Sequence, residues 1–129
     1  MSAADATDRV FVYGTLRPGQ ANHGRVAGFV RQVEPARLSG HSLWTCGAFP
    51  GARPAAEGVV EGVVFTLERP AEALAALDVF EEVPTLYERV RVVVCTRSDS
   101  LIDAWTYLLA LRDLRGWAFL GSTWPGKGA

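Results

Sequence analysis

The sequence predicts an α+β fold, a small β-barrel with one long helix packed on it. Three observations lead there. Segments rich in β-branched and aromatic residues, the composition of strands, outnumber helical ones. They do not alternate regularly with helices, which excludes a doubly wound nucleotide-binding fold. A single segment, from Pro70 to about Phe80, reads as a convincing helix. The chain of 129 residues fits one compact domain. A chain of that size can bury about two-thirds of its unfolded surface and needs no disulfide or metal to hold a core.

In chain order, Met1–Asp8 is small, polar and acidic, without the basic and apolar regions of a secretory leader, and reads as a loose tail. Arg9–Tyr13 is β-branched and aromatic and stops at Gly14, as a short strand does. Gly14–Gly28 is rich in glycine and reads as loop. Ala36–Trp44 is a possible strand. Trp44–Gly58, with more glycines and two prolines, reads as a long surface excursion. Val59–Leu67 alternates weakly and reads as strand. Pro70 suits the first turn of a helix, Glu72 sits where the helix dipole favours a carboxylate, and Pro84 closes the segment. In Tyr87–Thr96, Val90, Val92 and Val94 point one way and Arg89, Arg91 and Val93 the other. Ile102–Leu109 is another apolar strand. Gly121–Ala129 carries three glycines and a proline and reads as a second loose tail.

Composition narrows the function. With 49% hydrophobic residues the chain is not disordered. A net charge of -1 and an isoelectric point near 6.1 argue against a nucleic-acid footprint. No apolar run has the length of a membrane helix. Cys46 and Cys95 lie far apart without a CxxC pattern, as reduced thiols of a cytoplasmic protein would.

Two places could carry chemistry. In Tyr13-Gly14-Thr15-Leu16-Arg17-Pro18-Gly19 a hydrophobic strand runs straight into glycine. Such a turn can aim several backbone N–H groups at one point and hold a carboxylate or a developing oxyanion. It can equally be a tight turn in which glycine supplies an unusual φ. It has neither the lysine of a Walker loop nor the glycine spacing of a dinucleotide fingerprint. The second place is Glu81. With Leu74 at zero and about 100° per residue, Leu77 falls near 300° and Glu81 near 340°, on the apolar stripe. Glu82 falls near 80°, toward water. A carboxylate on an apolar face is costly to ionise, so its pKa rises toward the range a general base uses. If the helix frays at Phe80, Glu81 is instead exposed in the turn.

Other residues give weaker signals. Tyr87 and Tyr107 fit amphipathic strand positions with the ring buried and the hydroxyl at the edge. Arg89 could pair with a carboxylate or lie on a solvated face. His23 and His41 share no metal-ligand spacing with Cys46 or Cys95, so no metal site is expected. Cys46 could be a nucleophile with His41 as its base, although it reads more simply as a loop thiol. The four tryptophans lack an interleaved basic pattern for single-stranded nucleic acid.

Taken together, the motifs resemble the gamma-glutamylcyclotransferase-like family, which includes gamma-glutamylaminecyclotransferase and the AIG2-like proteins. Val10–Gly19 resembles the family's opening signature. Asn22-His23 and Ala36-Arg37-Leu38-Ser39-Gly40 follow in the family's order. So do Val60–Phe65, Leu77-Asp78-Val79-Phe80-Glu81, Tyr87-Glu88-Arg89 and Ala104-Trp105-Thr106-Tyr107. The likeness spans Val10 to Tyr107, most of the chain. It implies a small mixed β-barrel with flanking helices and a cavity beside the Tyr-Gly-Thr-Leu loop. It implies a small gamma-glutamyl substrate, a reaction releasing 5-oxoproline and a free amine, and no cofactor. Glu81 aligns with the family's acid/base glutamate, and Tyr13, Gly14, Thr15, Leu16, Tyr87 and Tyr107 with positions that line or bond the substrate pocket. The chain departs from the family in having Glu82 where glycine usually follows the glutamate. Its Gly121-Ser122-Thr123-Trp124 also lacks the aspartate of a family "s-G-D-W" ending. The reading of another class is a binding module that keeps the cavity without turnover.

Overall fold

The structure is a computed structural model that describes residues 7–126. Six strands and one α-helix follow in the order β1 (Arg9–Val12), β2 (Val30–Thr45), β3 (Pro50–Leu67), α1 (Pro70–Phe80), β4 (Tyr87–Thr96), β5 (Leu101–Leu109) and β6 (Ala118–Gly121). Two short 3-10 turns, His23–Arg25 and Ala27–Phe29, precede β2. The first five strands close a mixed barrel: β1 is antiparallel to β3, β3 to β2, β2 to β4 and β4 to β5. The parallel pairing of Val10 with Trp105, between β1 and β5, completes the circuit. β6 adds to the far end of β2, against Leu43–Thr45. The fold is α+β as predicted, although only one α-helix flanks the barrel among the described residues.

Strand alternation divides the core in two. Phe11, Tyr13, Leu38, Val60, Val64, Val94 and Ala104 pack together, with Val90 and Val92 against them. Val10, Val12, Phe65, Leu67, Tyr107 and Leu109, on the opposite faces of the same strands, pack with Ala73, Leu74 and Leu77 of α1. One helix face thus covers one wall of the barrel.

The stretch Trp44–Gly58 is not a surface excursion. β2 turns at Cys46–Phe49 and returns as β3 from Pro50, with Trp44 opposite Gly51 and His41 opposite Pro54. Its glycines serve close packing rather than looping. A Cβ on Gly51 would lie 2.2 Å from the Leu109 side chain, and one on Gly58 2.2 Å from the His41 carbonyl oxygen. The C-terminal segment also differs from the expected tail. Gly121 ends β6, the Glu61 N–H bonds the Ser122 carbonyl, and Trp124 is buried in the barrel-side core. At the other end, the Asp8 carbonyl accepts the Leu67 N–H. Residues 1–6 and 127–129 of the expected tails lie outside the described residues.

Helix α1 has the predicted bounds, with Pro70 at its start and Glu72 in its first turn. Its end is a Schellman turn. The Glu82 N–H bonds the Val79 carbonyl, and the Val83 N–H bonds the Asp78 carbonyl. That motif needs a left-handed residue, and Glu82 adopts it at φ +56°. Glycine takes this conformation without the Cβ penalty. Glu82→Gly is therefore expected to raise stability by about 0.5–1 kcal/mol. Thermal denaturation should show a rise in Tm of about 2–5 °C.

Candidate active site

All seven residues singled out in the sequence line one cavity of about 500 Å³. It opens at the end of the barrel where β1 and β5 finish and β3 and β4 begin. Tyr13–Leu16 enter from the end of β1, Glu81 and Glu82 from the end of α1, Tyr87 from β4 and Tyr107 from β5. Phe49, Pro50 and Asn22 also line it. The sequence does not single them out, because each falls in a segment that reads as loop, Gly14–Gly28 or Trp44–Gly58.

The Tyr13–Leu16 loop is built by its neighbours. Gly14 has no positive φ. A Cβ there would lie 2.7 Å from Pro50 Cγ, so glycine is required by close approach rather than by an unusual turn. The Gly14 carbonyl accepts the Arg17 N–H at 3.2 Å and the Arg17 Nε–H at 3.1 Å. The Arg17 guanidinium also reaches the Trp124 carbonyl. Asn22 ties back to Thr15 through both its backbone and its side-chain amide. His23 Nδ1 contacts the Leu16 carbonyl at 2.8 Å. The N–H groups of Gly14, Thr15 and Leu16, by contrast, donate to no acceptor among the described residues. They remain available to an anionic or carbonyl oxygen.

The three tyrosines present rings to the cavity and commit their hydroxyls to the framework. Tyr13 Oη donates to the Tyr107 carbonyl at 2.5 Å and accepts the Ala52 N–H at 3.0 Å. Tyr87 Oη donates to the Pro50 carbonyl at 2.5 Å. Tyr107 Oη donates to Asp78 Oδ1 at 2.8 Å. Burial raises the pKa of each, and the Glu81 charge adds to it, so all three stay neutral. Asp78 in turn takes a bidentate pair from Arg89, with Nε–Oδ1 at 2.8 Å and Nη2–Oδ2 at 3.2 Å. The Arg89 guanidinium lies 4.4 Å above the Trp105 ring. This network fastens α1 to β4 and β5, one turn before Glu81. Arg89 therefore pairs with a carboxylate, the first of its two sequence readings, and Asp78 is a framework residue that the sequence did not single out.

Glu81 keeps helical register. Its N–H bonds the Leu77 carbonyl at 2.8 Å, so the helix has not frayed before it. The side chain is half-buried and has no ion pair or hydrogen bond among the described residues. Burial without a compensating cation pushes its pKa up to about 7. Glu82, one residue on, is exposed at the cavity rim. The wheel separated these two carboxylates as the fold does.

The other polar candidates lie apart. His41 Nδ1 contacts the Ser39 carbonyl at the surface. Cys46 is exposed in the β2–β3 turn, and no hydrogen bond joins it to His41.

The family described as gamma-glutamyl cyclotransferase, AIG2-like, matches residues 10–125. A Drosophila melanogaster protein named as an inferred gamma-glutamylcyclotransferase is 30% identical over 113 residues, covering 78% of this chain and 69% of that protein. One from Vibrio cholerae serotype O1, named likewise, is 35% identical over 87 residues, 62% of this chain and 67% of that protein. Among solved structures, an AIG2-like protein from Mus musculus shares the fold at a TM-score of 0.65. It is 23% identical, over 84% of this chain and 80% of the mouse chain. The matched residues run from the start of β1 past the buried Trp124, so barrel, helix and cavity are all included, and the chain belongs to the gamma-glutamyl cyclotransferase, AIG2-like family.

Proposed function

We propose that the cavity converts a gamma-glutamyl amide into 5-oxoproline and a free amine, with Glu81 as general acid/base. The carrying observation is a half-buried carboxylate that has no cation partner among the described residues, in a cavity also lined by Gly14, Thr15 and Leu16, whose N–H groups have no acceptor among them. Names borne by relatives support the same activity. A cavity of about 500 Å³ suits a small, flexible substrate.

The chemistry requires few parts. The substrate's α-ammonium must lose a proton before its nitrogen can attack, and the ionised Glu81 takes it. The nitrogen then bonds to the γ-carbonyl carbon, closing a five-membered ring, and gives up a second proton to solvent so that it ends as the lactam N–H. The oxygen of that carbonyl gains negative charge, which backbone N–H donors from Gly14, Thr15 and Leu16 can stabilise. Collapse breaks the bond to the leaving amine, and protonated Glu81 returns the proton to it. Because the attack is intramolecular, a cavity that holds the chain bent supplies much of the acceleration. Tyr13, Tyr87 and Tyr107, neutral and held by the framework, shape that wall without adding charge.

The test is release of 5-oxoproline from gamma-glutamyl amino acids, gamma-glutamyl-ε-lysine, glutathione and gamma-glutamyl alkylamines. Release from at least one is expected. Silence across the panel, with the protein folded, would favour a binding module.

The pH profile follows from Glu81. Only its ionised form accepts a proton, so kcat/KM should rise with pH through about 7. A solvated glutamate would place that limb near its ordinary value of 4.5. Initial rates across that range distinguish the two.

A further inference from the structure

Glu82 stands at the rim of the cavity, and the charged residues of the described lining are of one sign. Among the described residues, Glu81 and Glu82 are the only acidic ones that line the cavity, and no arginine or histidine joins them. Glu82 is the more exposed of the two, so it stands nearer the opening. Its backbone is held firmly, since its carbonyl accepts the N–H groups of both Thr85 and Leu86. Its carboxylate forms no ion pair among the described residues. Arg25 lies close by, but its guanidinium is stacked 4.4 Å from the Phe80 ring, and Arg25 is not part of the lining. Phe49 adds an aromatic ring to the same lining.

With the α-amine placed at Glu81, the chain of an extended leaving amine can reach the rim where Glu82 stands. There it meets a free carboxylate and, among the described residues, no basic residue of the lining. We infer that Glu82 selects gamma-glutamyl substrates whose leaving amine carries a second positive charge. This assignment rests on the cyclotransferase reading above. A terminal ammonium gains Coulombic attraction at the rim, and a terminal carboxylate is repelled. The site is solvent-exposed, so each step should be modest, about two- to five-fold.

Three substrates of one shape test it. Each joins the gamma-glutamyl group to a five-methylene amine that ends in ammonium, methyl or carboxylate. In the wild type, kcat/KM should fall in that order, and the spread should shrink as salt is raised. In Glu82→Gln and Glu82→Gly the spread should collapse to within about two-fold by the same arithmetic. The ratio is taken within each protein, so changes in stability cancel, and glycine relieves the left-handed backbone in any case. Equal rates in the wild type, or an unaltered spread in both variants, would overturn the assignment of Glu82. Release of 5-oxoproline from none of the three would instead overturn the reading of the reaction itself.

Discussion

Glu81→Gln is expected to lower 5-oxoproline release by about 10²–10⁴-fold, the usual worth of a positioned acid/base. The amide has nearly the same shape and hydrogen-bonding reach, but it cannot accept the proton from the substrate's α-ammonium. The same change should make the folded protein more stable at alkaline pH. The fold raises the pKa of Glu81 from 4.5 to about 7, so the folded state holds this proton more tightly than the unfolded chain does. Below 4.5 both states are protonated and the group costs nothing. As pH rises through about 7 the carboxylate ionises in its poorly solvated site, and stability falls. Glutamine carries no such charge. Urea unfolding at about pH 5 and pH 8 should therefore show a wild-type loss of about 1–3 kcal/mol that the variant lacks. A variant that is inactive and no more stable at pH 8 would separate the catalytic role from the burial argument.

Gly62→Ala is expected to cost about 3 kcal/mol of stability and about 10 °C in Tm. Gly62 lies in β3 between β1 and β2. A Cβ built there falls 2.3 Å from the Val12 carbonyl oxygen and 2.9 Å from Phe11 Cζ. The first neighbour is backbone and cannot rotate aside. Relief requires β1 to move away from β3, which strains the Phe11–Val64 and Val12–Val63 pairings. Val12 leads directly into Tyr13–Leu16, so the displacement reaches the cavity wall. Denaturant midpoints test the first effect, and residual 5-oxoproline release below the melting transition tests the second. A loss under about 1 kcal/mol would mean that the barrel seam yields more easily than its contacts suggest.

What could be read from sequence, and what could not, follows from how local each signal is. Helix α1 carries its own punctuation in Pro70, Glu72 and the Leu74–Leu77 stripe, and it emerged with its bounds intact. Placing Glu81 on that stripe needed only the helical angle. Tyr87–Thr96 likewise announced itself by alternation. The start of β3 did not, because glycine and proline are ambiguous between a loop and a crowded seam. Only the position of Leu109, far along the chain, shows that Gly51 is small for want of space. Gly14 was ambiguous for the same reason, its constraint being Pro50. The commitment of all three tyrosine hydroxyls to framework partners was equally hidden, since those partners lie at least 29 residues away. Trp124 sits in a segment whose composition suggested a tail, and its burial depends on the end of a barrel that the sequence does not display.

Ring closure requires that the substrate's own amine, rather than water, attack the γ-carbonyl. The most direct measurement compares one gamma-glutamyl amide with its N-α-acetyl derivative and identifies the products by mass spectrometry. Ring closure predicts 5-oxoproline from the free amine, formed without oxygen from water, and no turnover of the acetylated compound. Release of glutamate from the free amine, or of N-acetylglutamate from the acetylated compound, carrying oxygen from labelled water, would contradict it and make the cavity a hydrolase site.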